Sequence, residues 1–63
     1  MTLSDAVKGL NSIRTQESKA VKDNVAPIHG LASCVIDGRY IIYALNYPIE
    51  SVPAGWTVHY TAG

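Results

Sequence analysis

The dipeptide Asp37-Gly38 stands between two runs rich in β-branched and aromatic residues, 31–36 and 39–46. Both of its positions tolerate positive φ, so it predicts a two-residue type I′ hairpin turn. So short a turn leaves one register, with Ile36 opposite Arg39, Val35 opposite Tyr40, Cys34 opposite Ile41 and Ala32 opposite Tyr43. One face of the hairpin then carries Cys34, Ile36, Ile41, Tyr43 and Leu45. The other carries Leu31, Val35, Tyr40, Ile42 and Ala44. Both faces are apolar, whereas a small sheet covered by one helix is ordinarily apolar on one side and polar on the other. The second face needs either another part of the chain or another molecule over it. The expectation is a second subunit.

Upstream of the hairpin, Leu3, Ala6, Val7, Leu10, Ile13, Ala20 and Val21 recur at about 100° per residue. Lys8, Asn11, Ser12, Thr15, Ser18, Lys19 and Lys22 fall opposite them. This spacing predicts a helix over 3–23, capped by Thr2 or Ser4 and ended by Asn24 and Pro27. Asp5 suits the positive end of the helix dipole, and Lys19 and Lys22 the negative end. Downstream, a loop with Pro and Gly leads to a third strand at 56–61, where Trp56, Val58 and Tyr60 alternate with Thr57, His59 and Thr61. The fold class is α+β: one N-terminal amphipathic helix packed on a small antiparallel sheet of two to three strands, with 1–63 a single domain.

At 63 residues the chain lies near the lower size limit for unaided folding. Its single cysteine, Cys34, allows no internal disulfide, while 48% of the residues are hydrophobic and 16% charged. Self-association is the simplest way to bury so much apolar surface. Five basic and five acidic residues give zero formal net charge, with no basic cluster to grip a phosphate backbone. The longest apolar run, 40–45, is far short of the roughly 20 residues that cross a bilayer. The N-terminus lacks a secretory pattern. A soluble, cytoplasmic protein is expected.

Signals for chemistry are weak. His29, Cys34 and His59 are the only soft metal ligands, and their spacing resembles no structural metal site; no metal and no cofactor are expected. No nucleophile elbow or phosphate-cradling glycine loop is present. Glu17 projects into the apolar stripe between Ile13 and Val21. It must reach water, find a partner or face a polar interface, and Arg14 beside it makes Arg14–Glu17 a candidate interface ion pair, with Arg39 a further partner. The aromatic residues Tyr40, Tyr43, Tyr47, Trp56 and Tyr60 all lie in the second half. Tyr, Trp and Arg dominate binding hot spots, so Arg39, Tyr40, Ile42, Tyr47, Trp56, His59 and Tyr60 form the candidate contact set. For Tyr43 and Trp56 core packing is the stronger expectation, because Phe is absent and something must fill the interior.

The function expected from these features is that of a small non-enzymatic binding protein, a homo-oligomer that occupies or sequesters a partner. The partner is a host protein or a small nucleotide-like ligand, stacked on the aromatics with Arg39 on its phosphate. Size and style compare with phage and mobile-element accessory proteins. A structural assembly component, such as a minor virion protein, is the alternative. An enzyme or enzyme subunit is disfavoured.

Overall fold

The computed structural model describes residues 1–61. Helix α1 spans Leu3–Lys22. Thr2 is its N-cap: Thr2 Oγ1 accepts from the Asp5 backbone N–H at 3.2 Å and donates to the Asp5 carboxylate at 2.8 Å. The far end closes at Asp23 and Asn24. Asn24 takes a left-handed conformation, φ 57°. Its N–H reaches the Val21 carbonyl, and the Val25 N–H reaches that of Ala20. This is a Schellman cap, with Asn in the position glycine usually fills.

Three antiparallel strands follow: β1 at Gly30–Ile36, β2 at Arg39–Leu45 and β3 at Thr57–Tyr60. The turn between β1 and β2 has positive φ at both Asp37 (50°) and Gly38 (74°), as the type I′ geometry requires. All four residue pairings expected from it are present, and the ladder runs on to Gly30 opposite Leu45. β3 does not fold back across the sheet. It pairs with the other edge of β1, giving the order β2-β1-β3. The strand expected at 56–61 is shorter because the Trp56 N–H turns back to the Pro53 carbonyl before the ladder starts, while the Thr61 N–H bonds to the His29 carbonyl beyond its end.

The helix lies on one side of the sheet, and the core forms between them from Ala6, Ile13, Ala32, Cys34, Leu45 and Trp56. The buried line on α1 is Ala6, Gly9, Ile13, Glu17 and Ala20. That differs from the stripe expected from hydrophobicity, since Leu3, Val7 and Val21 are exposed. The line is turned toward small residues because Trp56 demands room. A Cβ on Gly9 would overlap the indole Nε1 and lie 3.2 Å from the Pro53 side chain. The connection between β2 and β3 is held to the helix by Gln16, which accepts from the Glu50 and Ser51 N–H groups and donates to the Ser51 carbonyl.

Candidate functional site

Strand alternation puts Leu31, Ser33, Val35, Tyr40, Ile42, Ala44, Thr57 and His59 on the face turned away from the helix. Among the described residues nothing covers this face. Tyr40 is 74% exposed and Ile42 62%, with Leu31 and Val35 also open. The hairpin supplies an apolar field, and Ser33, Thr57 and His59 supply a polar strip beside it. An open depression at the turn end of the sheet is lined by Ser33, Val35, Tyr40, Thr57 and His59 of this face together with Met1, Cys34 and Gly55. No Lys, Arg, Asp or Glu sits on the face, which suits it to contacts driven by burial of surface.

The structure divides the residues expected to make contacts. Tyr40, Ile42 and His59 come together on the open face. Arg39 follows the opposite alternation and points to the helix side, so it does not stand beside Tyr40 as a stacked phosphate ligand would need. Trp56, for which core packing is the stronger expectation although it stands in the contact set, is 6% exposed and belongs to the core; its ring is the largest available filler for a core without Phe. Tyr60 also turns to the helix side, where its hydroxyl accepts from the Ile49 N–H at 3.1 Å. Tyr47 lines a separate open depression with Arg14, Glu17, Ser18, Val21, Tyr43 and Asn46.

Glu17 is almost wholly buried at the edge of this depression and does not bond to Arg14 within the chain. It is 8% exposed. One carboxylate oxygen accepts from the Tyr43 hydroxyl at 2.6 Å and the other from the Asn46 N–H at 2.9 Å. These partners lie 26 and 29 residues away, so local periodicity could not disclose them. The Tyr43 hydroxyl has its pKa raised above the ordinary 10.0, first by the hydrogen bond to Glu17, then by burial and by the nearby negative charge, with Arg14 opposing. Among the described residues the one ion pair is Lys19–Glu50, exposed and 3.9 Å long, a kind that contributes little to stability.

Cys34 is buried on the helix side and His59 lies on the open side by alternation, yet both border the depression at the turn end of the sheet. Among the described residues no group of three metal-binding side chains gathers at one place. No helix among the described residues is long and apolar enough to cross a membrane. Compared with family models, curated proteins and solved structures, the chain matches none.

Proposed function

We propose that this is a non-enzymatic binding protein that works as a homo-oligomer, with the open face of the sheet as its contact surface. The observation that carries this reading is the uncovered field of Leu31, Val35, Tyr40, Ile42 and Ala44, opposite a face already served by the helix. Proportions support it. The radius of gyration is 11.7 Å, against about 10.6 Å for a compact chain of this length. The accessible surface is 4456 Å², against roughly 4,000 Å² for a monomer of this mass. Both values lie somewhat above those of a compact monomer, in keeping with a sheet face left open.

The uncharged character of the face favours a protein partner over a phosphorylated ligand. The stacked-nucleotide version needs Arg39 next to Tyr40, and strand alternation sets them on opposite sides. Sequestration of a protein by an apolar surface asks for no reactive group. Native mass spectrometry of the protein recovered from its natural host tests the reading. The expected result is a multiple of the 6.8 kDa subunit carrying a retained partner. A bare monomer would contradict it.

A further inference from the structure

The free edge of β2 has the features of an unprotected pairing edge. Its seven residues, Arg39–Leu45, contain no proline and, after Arg39, no charge; natural edges are usually blunted by such residues or by being short. The other outer strand, β3, has four residues. The two-residue turn makes Ile36 and Arg39 a hydrogen-bonded pair. By alternation, Arg39, Ile41, Tyr43 and Leu45 bond inward to β1, while Tyr40, Ile42 and Ala44 direct their N–H and C=O groups to the open edge. The helix does not shield this edge, since Ile41, on the helix side of β2, is still 42% exposed.

We propose that a second copy of this chain pairs antiparallel along β2 about a two-fold axis at Ile42, joining two sheets into one of six strands. This inference rests on the self-association in the reading above and places it at the strand edge, leaving the open face of the joined sheets as the surface that takes the partner. Only the register centred on Ile42 pairs all seven residues of both strands. On the open face it sets Ile42 against Ile42 and Tyr40 against Ala44; on the helix face, Ile41 against Tyr43 and Arg39 against Leu45. The two-fold runs perpendicular to the sheet, so like faces join and the apolar field doubles in length.

Charge agrees with this register. Each Arg39 arrives beside the other copy's Leu45, next to Asn46, whose N–H is bound to Glu17 at 2.9 Å. Glu17 is a buried carboxylate with two neutral hydrogen-bond donors, and the register brings it a cation. The exposed flank of α1 lies on the same side. Val21 and Arg14 share a depression with Tyr43 of β2, and Leu3 and Val7 continue the flank along the helix. In the dimer, these side chains of the two copies face each other above the joined strands.

Cysteine cross-linking tests the register, because directly opposed residues about 5.5 Å apart at Cα fall within disulfide range. The variants Ile42→Cys, Tyr40→Cys and Ala44→Cys change exposed side chains and leave the core intact. Ile42→Cys alone is expected to form a covalent dimer under mild oxidation. Tyr40→Cys alone is expected not to, since its two copies lie about 14 Å apart along the strands. A mixture of Tyr40→Cys and Ala44→Cys is expected to link. Equal linking at all three positions, or none at Ile42, overturns the inference. If Ile42→Cys does not link but native mass shows a dimer that Leu31→Asp splits, the face pairs instead of the edge; the pairing inference falls while the proposed function stands. A monomer throughout removes both.

Discussion

At Glu17 a single carboxylate ties helix α1 to strand β2 and to the first residue of the loop that leaves it. A buried carboxylate is costly unless both oxygens are satisfied, and here the Tyr43 hydroxyl and the Asn46 N–H satisfy them. Glu17→Ala strands both donors and is expected to lose about 3 kcal/mol of folding stability in urea melts, while Tyr43→Phe loses about 2 kcal/mol, taking hydrogen bonds to charged groups at about 1.5–3 kcal/mol each. Tyr43 also carries a pH signature. Its hydroxyl holds its proton to higher pH in the folded chain than in the unfolded one. From the unfolded value near 10.0 up through the raised folded value, the native state binds more protons, so this stabilisation is intact below that window and lost as pH rises through it. Urea midpoints measured on both sides of pH 10 should fall more steeply for the parent than for Tyr43→Phe. Equal slopes would place the alkaline sensitivity elsewhere.

Among the elements, the hairpin was readable from sequence down to its register, because a two-residue turn leaves the chain no other pairing. Gly38, at φ 74°, is the position that makes this possible. Gly38→Ala should cost about 1–2 kcal/mol, the penalty of left-handed backbone for a residue with a Cβ, measured as a lowered urea midpoint. The helix was readable in extent and partly in orientation. Periodicity places Ala6, Ile13 and Ala20 inward with Glu17 among them, as they are. It also ranks Leu3, Val7 and Val21 as inward, which are exposed, and it passes over Gly9. Gly9 is chosen by Trp56, and Glu17 by Tyr43 and Asn46, all non-local contacts that a helical wheel does not contain. Gly9→Ala tests this directly. Helix propensity alone would make it stabilising by about 1 kcal/mol. The overlap with the indole instead predicts destabilisation of about 1–3 kcal/mol, with a shift in Trp56 fluorescence. The aromatics were likewise sortable only where a register was known: Tyr40 could be placed from the hairpin, whereas Trp56 and Tyr60 waited on the position of β3.

For the whole molecule, one helix and one three-stranded sheet make a thin body, with Cα extents of 36 × 22 × 13 Å. Such a body has one interior and two sheet faces, and the second face stays open unless something arrives to cover it. That β3 extends the sheet rather than folding back over it decides the matter within the described residues. The central claim is that association between copies of this chain completes the structure. Sedimentation equilibrium of the parent and of Ile42→Asp tests it most directly. The claim predicts a parent mass that is a multiple of 6.8 kDa, and an Ile42→Asp mass of one subunit with a lower melting temperature. A monomeric parent, or a variant of unchanged mass and melting temperature, would contradict it.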